Sequence, residues 1–236
     1  MRTAVIVPTY NEVDNIGKLV AEILDLGRDI VVVVVDDNSP DGTAGAVRSM
    51  QDDERVILVS RPEKLGLGTA YVAGIRRLWD RPDIDLFLTM DADFSHHPRF
   101  IPDLIDGAAH ADIVIGSRYV IGGRTVDFAA HRRLISRGAN LFAKSLLRLA
   151  PRDCTAGFRC YHRRVLATIP LEQLFSKGYS FLVEMLFHCQ RKDFKIREVP
   201  ICYVARAHGL SKISMNEIRY TALTILRLWY RWRFRK

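Results

Sequence analysis

Apolar positions along the first 118 residues fall into two alternating patterns. Residues 3–8 form a short apolar run closed by Pro8, and residues 29–35 carry an unbroken β-branched series. Such a series suits a central parallel strand covered on both faces. Residues 56–60, 86–90 (behind Asp85) and 112–118 repeat the strand pattern. Between these runs the apolar residues recur at helical spacing. Ile16, Leu19, Val20, Ile23 and Leu24 share one face, and further helices are predicted around 44–50, from the Lys64-Leu-Gly-Leu-Gly68 segment to Trp79, and over 98–109. Four strand–helix alternations call for an α/β fold with a mostly parallel sheet flanked by helices. Right-handed crossovers bring the strand ends to one edge, where open α/β sheets bind ligands.

Beyond Arg118 the alternation stops. Gly122-Gly123 marks a loop, and a basic segment follows with Arg124, His131, Arg132, Arg133 and Arg137. A helix is predicted over 132–149, with Leu134, Leu141, Leu146 and Leu149 available for packing. Residues 153–159 read as a polar turn, Gly178 opens another helix, and 195–204 reads as a strand interrupted by Pro200, hence an edge strand. From residue 216 the chain is helical and amphipathic. Ile218, Ala222, Ile225, Trp229 and Trp232 fall on one side, and Arg227, Arg231 and Arg235 on the other. Two readings of this segment stay open: a helix lying in a membrane interface, or a terminal helix packed on the domain. The division is therefore a body over 1–215 and a basic amphipathic helix over 216–236.

Composition narrows the classes. An apolar fraction of 48% and a charged fraction of 26% over 236 residues describe an ordinary globular chain. No apolar run reaches the roughly 18–20 residues needed to cross a bilayer. The sequence passes from Met1-Arg-Thr straight into a strand, so no signal peptide is expected. Of the net charge of +8, +5 lies in residues 216–236, so the basic character belongs mostly to the tail. Cys154, Cys160, Cys189 and Cys202 lack C-x-x-C spacing and read as reduced thiols of a cytosolic protein, not zinc ligands.

The chemistry concentrates where strands end. Asp91 and Asp93 follow the run 86–90, and residues two apart on an extended chain share a face. Paired carboxylates repel unless a cation lies between them. A hard divalent ion such as Mg²⁺ suits them, since it uses one or two carboxylates together with substrate phosphates. Ser95 is the next residue on that face and a third candidate ligand. Tyr10 and Glu12 after the first strand, and Asp36 and Asp37 after the second, lie on the same predicted edge. Those acids suit contacts to a base or ribose of a nucleotide diphosphate. Gly66-Leu-Gly68 is only a fragment of a dinucleotide fingerprint, and Ser95-His96-His97 lacks nucleophile-elbow glycines. His96 and His97 read as loop or cap residues. If Arg118, Arg132, Arg206 and Lys212 converge on the Asp91/Asp93 edge, they can bind two phosphate groups.

The motifs Pro8-Thr-Tyr-Asn-Glu12, Asp36-Asp-Asn-Ser-Pro-Asp-Gly-Thr43, Lys64-Leu-Gly-Leu-Gly68, Met90-Asp-Ala-Asp-Phe-Ser-His-His-Pro98 and Gly116-Ser-Arg-Tyr119 resemble those of dolichol-phosphate mannose synthases. These belong to the inverting glycosyltransferases of the GT-A fold. The resemblance continues through Ile135-Ser-Arg-Gly-Ala-Asn140, Thr155-Ala-Gly-Phe-Arg159, Gly178-Tyr-Ser-Phe181 with Glu184, Glu198-Val-Pro-Ile201 and Gly209-Leu-Ser-Lys212. It implies transfer of mannose from GDP-mannose to a polyprenyl (dolichyl) monophosphate, with Mg²⁺ or Mn²⁺ as cofactor. It assigns Pro8, Tyr10, Glu12, Asp37 and Asp91 to the nucleotide, and Asp91, Asp93 and the position of Ser95 to the metal. Arg118, Arg132 and Ser136 are implied to hold the lipid phosphate, and Arg206 and Lys212 the donor phosphates. Some relatives carry glutamine where Ser95 stands. The absence of transmembrane helices resembles the class that sits on the cytoplasmic face of a membrane or relies on a membrane-bound partner. Two rivals were weighed. The same scaffold serves polyprenyl-phosphate glucosyltransferases that use UDP-glucose. A basic tail also suits nucleic acid, but its tryptophans and the acidic clusters of the body argue against that partner.

Overall fold

The computed structural model describes residues 1–127, 130–204 and 215–234, the side chains of His131, Arg132, Met215 and Asn216 excepted. The first half follows the predicted alternation: β1 (Arg2–Thr9), α1 (Val13–Leu24), β2 (Ile30–Asp36), α2 (Thr43–Arg48), β3 (Val56–Ser60), α3 (Leu67–Arg77), β4 (Ile84–Thr89), a 3₁₀ turn (Pro98–Phe100), α4 (Ile101–Gly107) and β5 (Ile113–Ser117). The second half adds β6 (Arg124–Val126), α5 (Ala130–Leu147), β7 (Arg159–His162), α6 (Arg163–Thr168), α7 (Phe181–Arg191), β8 (Ile196–Pro200), β9 (Cys202–Val204) and α8 (Met215–Phe234).

Seven strands form one sheet in the order β3-β2-β1-β4-β7-β5-β8, parallel except for β7. The β-branched run explains the centre. All seven residues of β2 are buried, with Val31, Val33 and Val35 entering one core cluster and Val32 and Val34 the other. Helices therefore cover both faces, as the pattern predicted. β8 is the sheet's edge, and it ends at Pro200, where a missing N–H breaks no ladder. Beside this sheet, β6 pairs in parallel with β9.

Two expectations are corrected, and of the two readings left open for the C-terminal helix the structure shows packing on the domain. Residues 153–159 are not a solvated turn, because Asp153 and Arg159 are both fully buried and Arg159 opens β7 between β4 and β5. Its guanidinium donates to the carbonyls of Leu182 (2.6 Å) and Cys154 (2.8 Å), which replaces the water it loses. On α5, Leu134 and Leu141 are 73% and 65% exposed, while Leu146 and the following Leu149 pack on the core as expected, with Ala143 and Leu147 beside them. On α8, the tryptophan side faces the protein: Ile225 and Leu228 are buried in the core, with Trp229 and Trp232 packed against it. The opposite side leaves Tyr220, Leu223, Leu226, Tyr230 and Phe234 exposed, among Arg219, Arg227, Arg231 and Arg233. The helical period was right; packing on α5 and α7 selected which stripe turned inward. All four cysteines are buried free thiols, and burial pushes those of Cys154, Cys160 and Cys189 up to about 12.

Candidate active site

The loops after β1, β2 and β4 open on one sheet edge, and a cleft of about 720 Å³, partly open to solvent, lies there. Its lining includes Pro8, Tyr10, Glu12, Asp37 and Asp91, five residues singled out from sequence.

Each loop is fixed by side-chain hydrogen bonds. Asp36, at the end of β2, accepts from the Thr9 hydroxyl (2.9 Å) and from the Ser39 backbone N–H (2.9 Å). It is buried and absent from the cleft lining, so the structure places it as a clamp between two loops and not as a wall of the cleft. The polar turn that follows β2 caps the neighbouring helix as well as its own: Asp41 accepts from the N–H groups of Val13 (3.0 Å) and Thr43 (3.0 Å). Asp37 lines the cleft and takes a buried partner that sequence reasoning missed, Arg61, whose Nε donates at 2.6 Å. Arg61 also reaches the Thr69 hydroxyl (2.7 Å) and the Gly66 carbonyl (3.3 Å). Burial raises the Asp37 carboxyl above its ordinary value, and Arg61 opposes that rise. A basic residue at the end of β3 is an ordinary surface feature in sequence, so nothing local announced the pair. Gly66 has φ +101°, and a Cβ there would stand 2.5 Å from the Lys177 carbonyl oxygen. Only glycine lets this loop close against residue 177. Lys64, on the same loop, lays its ammonium 4.5 Å from the centre of the Tyr10 ring.

The paired acids sit beyond β4. Asp91 lines the cleft and Asp93 stands half-buried beside it. Asp93 accepts from the Ser95 N–H (3.1 Å) across Phe94, whose φ of +59° is a strained value for a bulky side chain. Behind them His96 is buried, and its Nδ1 accepts the Asp91 backbone N–H (3.1 Å). Burial lowers the His96 pKa, which keeps the imidazole a neutral acceptor. His97 caps the following 3₁₀ turn by accepting from the Arg99 N–H (3.3 Å), the cap role expected of it. Ser95 is 1% exposed and outside the cleft lining, and its hydroxyl is a buried oxygen with no hydrogen-bond partner among the described residues.

The second wall is built around Arg118. Its guanidinium grips fully buried Asp153 through Nε (2.8 Å) and Nη2 (2.7 Å), and Nη2 also reaches Thr155 (2.9 Å). Burial opposes the Arg118 charge, but Asp153 outweighs it and holds the pKa above the ordinary value; Asp153 is correspondingly lowered. Nη1 makes no hydrogen bond among the described residues, which leaves that edge of the fork available to a ligand. The Arg118 guanidinium lies 5.1 Å from the Tyr119 ring and 5.5 Å from the Tyr203 ring. Tyr119 in turn is hydrogen-bonded to Ser136 on α5 (3.0 Å). Tyr203 makes an edge contact with His96 at 5.5 Å. A continuous chain therefore runs Asp91–His96–Tyr203–Arg118–Tyr119–Ser136. Tyr203, an apparently ordinary strand residue on β9, was not anticipated as its middle member. The chain of contacts links Asp91 to Arg118 and, through Tyr119, to Ser136, with Asp93 two residues from Asp91. The Arg132 side chain, Arg206 and Lys212 lie outside the described residues.

A mostly parallel sheet flanked by helices, with an acid-lined cleft at its strand ends, is the arrangement of the GT-A class of sugar-nucleotide-dependent transferases. Residues 4–169 match glycosyl transferase family 2, so the chain belongs to that family and is a glycosyltransferase. Among its relatives is the undecaprenyl-phosphate mannosyltransferase of Micrococcus luteus, 40% identical over 96% of this chain and 93% of that protein. The polyprenol monophosphomannose synthase of Mycolicibacterium smegmatis is also 40% identical, over 92% of this chain and 83% of that protein. The fold is shared with glucosyl-3-phosphoglycerate synthase of Mycobacterium tuberculosis, solved with Mn²⁺ and UDP. That match has a TM-score of 0.70 and 20% identity, covering 96% of this chain and 79% of that one.

Proposed function

We propose that this chain transfers mannose from GDP-mannose to a polyprenyl monophosphate, with inversion at the anomeric carbon, giving polyprenyl-phosphate mannose and GDP. The observation that carries the reading is the unbroken contact chain from Asp91 to Arg118. It supports reading the cleft as the donor site and the Arg118 guanidinium as its acceptor side, and relatives matched over most of their length are named for that acceptor and that sugar.

Pro8, Tyr10, Glu12 and Asp37 bound the nucleoside end, with Arg61 holding Asp37 in place. The donor set fits a divalent cation. Asp91 lines the cleft with Asp93 two residues on, and the neutral imidazole of His96 accepts the Asp91 backbone N–H and so fixes the main chain there. A bound Mg²⁺ or Mn²⁺, held by Asp91 and Asp93, would neutralise charge building on the departing nucleotide. Ser95 is the third candidate ligand, its buried hydroxyl having no hydrogen-bond partner among the described residues. The lipid phosphate binds the free edge of Arg118, near Ser136, together with Arg132. An oxygen of that phosphate forms the new bond to the anomeric carbon, while the bond from that carbon to the GDP oxygen breaks and its electron pair leaves with GDP. A phosphate monoester is largely ionised near neutral pH, its second pKa being about 6, so no general base is required. Arg118 positions the nucleophile, and proximity supplies much of the rate. Arg206 and Lys212 are assigned to the donor phosphates.

A lipid acceptor calls for a membrane surface. No described helix is long and apolar enough to cross a membrane. α5 and α8 pack side by side. Their outer faces carry Leu134, Ile135, Leu141 and Phe142 on one helix, and Tyr220, Leu223, Tyr230 and Phe234 on the other. With the exposed arginines of α8, these faces suit a headgroup interface on the cytoplasmic side. Tyr119 ties this surface to Arg118 through Ser136.

The test is a transfer assay with purified protein, labelled sugar nucleotide, polyprenyl phosphate and Mg²⁺ or Mn²⁺. Mannose from GDP-mannose should enter the organic phase and stop entering it with EDTA. Glucose entering from UDP-glucose instead would overturn the sugar assignment.

A further inference from the structure

Lys64 belongs to none of the groups assigned above to the nucleotide, the metal or the lipid phosphate. Among the described residues that line the cleft it is the one cation, set among the carboxylates of Glu12, Asp37, Asp91 and Glu217. Its ammonium lies 4.5 Å from the centre of the Tyr10 ring and makes no hydrogen bond or ion pair with a described residue. Attraction to the ring face holds the charge at the cleft wall and leaves N–H donors for a ligand. The loop that carries it is pinned on both sides. The Gly66 carbonyl accepts from the Thr69 hydroxyl (2.7 Å) and from Arg61 (3.3 Å), and the Gly68 N–H donates to the Lys177 carbonyl (2.8 Å). Arg61 also grips Asp37, so one guanidinium ties the Lys64 loop to that acid.

Sheet order decides which part of a nucleotide comes to Lys64. The strands run β3-β2-β1-β4 on this side of the sheet. Lys64 follows β3, Asp37 follows β2 and Tyr10 follows β1, with the Asp37 N–H donating to the Thr9 carbonyl (3.1 Å). Asp91 and Asp93 follow β4, on the other side of β1. Neighbouring strands lie about 4.8 Å apart, which sets the root of the Lys64 loop roughly 14 Å from the strand that leads to the paired acids. A diphosphate held by a cation at those acids therefore leaves the Lys64 side to the base. An ammonium only donates hydrogen bonds. It suits guanine, which presents O6 and N7 side by side as acceptors, and not adenine, which presents its N6 amino donor in place of O6.

We propose that Lys64 reads the O6/N7 edge of guanine and so sets the preference of the cleft for a guanine nucleotide over an adenine one. This rests on the reading that the cleft binds GDP-mannose. The experiment is calorimetric titration of GDP, inosine diphosphate and ADP, each with Mn²⁺, into wild-type protein and Lys64→Met. Inosine diphosphate keeps O6 and N7 but lacks the 2-amino group, so it isolates the edge in question. Wild type should prefer GDP and inosine diphosphate to ADP by about tenfold or more. Lys64→Met should bind both of those about tenfold more weakly, the loss expected for a hydrogen bond to a charged group. Its binding of ADP should stay within about twofold of wild type, which also reports that the variant is folded. Equal weakening of all three ligands would make Lys64 a general counter-charge for the phosphates and overturn the inference. So would unchanged binding of GDP. If wild type binds UDP more tightly than GDP, the donor reading itself fails and takes the inference with it.

Discussion

The two walls of the site are made differently. The donor rim is assembled from the ends of neighbouring parallel strands, and each loop is held by partners a few residues away or on the next loop, such as Thr9–Asp36 and Asp93–Ser95. The acceptor wall is assembled from distant pairs. Arg118 is closed by Asp153, 35 positions on, and Tyr203 from β9 fills the gap to His96. A rim of that kind can change chemistry without disturbing the fold, whereas the acceptor wall is also part of the core.

The sharpest way to break this contrast is to remove the paired acids. Asp91→Ala combined with Asp93→Ala should lower the transfer rate about 10³-fold or more while leaving the thermal midpoint near that of wild type, because both carboxylates are only half-buried. A fall in midpoint matching the fall in rate would make the rim structural too.

On the acceptor side the order reverses. Asp153→Asn leaves the Arg118 charge without its buried partner and should cost about 3–5 kcal/mol in urea unfolding. The pH dependence follows from the sign of the Asp153 shift. Its folded pKa lies below the ordinary 3.8, so the unfolded chain takes up the proton first as pH falls. The stabilisation is complete above about pH 4 to 5 and is lost as pH drops below 3.8 through the folded value. Wild type should therefore lose more stability than Asp153→Asn over that window. Equal acid slopes would show that the pair carries no net stability.

The smallest effect on the fold, and a selective one on the surface, belongs to α8. Leu223→Glu with Tyr230→Glu should leave folding stability within about 0.5 kcal/mol, since both side chains are mostly exposed. The same change should reduce partition onto anionic vesicles at least tenfold, at roughly 25 cal/mol per Å² of apolar area withdrawn from water. Unchanged sedimentation with vesicles would remove the membrane role from this face.

Legibility in the sequence followed the same divide. Strand ends on a parallel sheet are announced by local pattern, so Tyr10, Glu12, Asp37 and Asp91 could be placed from period and motif alone. Arg61 could not, because its burial depends on the α3 loop folding over it. Asp153 and Arg159 look like turn residues because polarity signals exposure unless a partner is known, and theirs lie far along the chain. The amphipathic period of α8 was readable, but which stripe faces the protein is settled by the surfaces of α5 and α7.

The central claim is that Arg118 handles the acceptor while the acidic rim handles the donor within one site. Arg118→Lys keeps the charge but loses the planar fork. Steady-state kinetics on this variant should show the KM for polyprenyl phosphate raised about tenfold or more, with equilibrium binding of GDP-mannose in Mn²⁺ unchanged. Weaker GDP-mannose binding with an unaltered KM for the lipid phosphate would contradict the assignment.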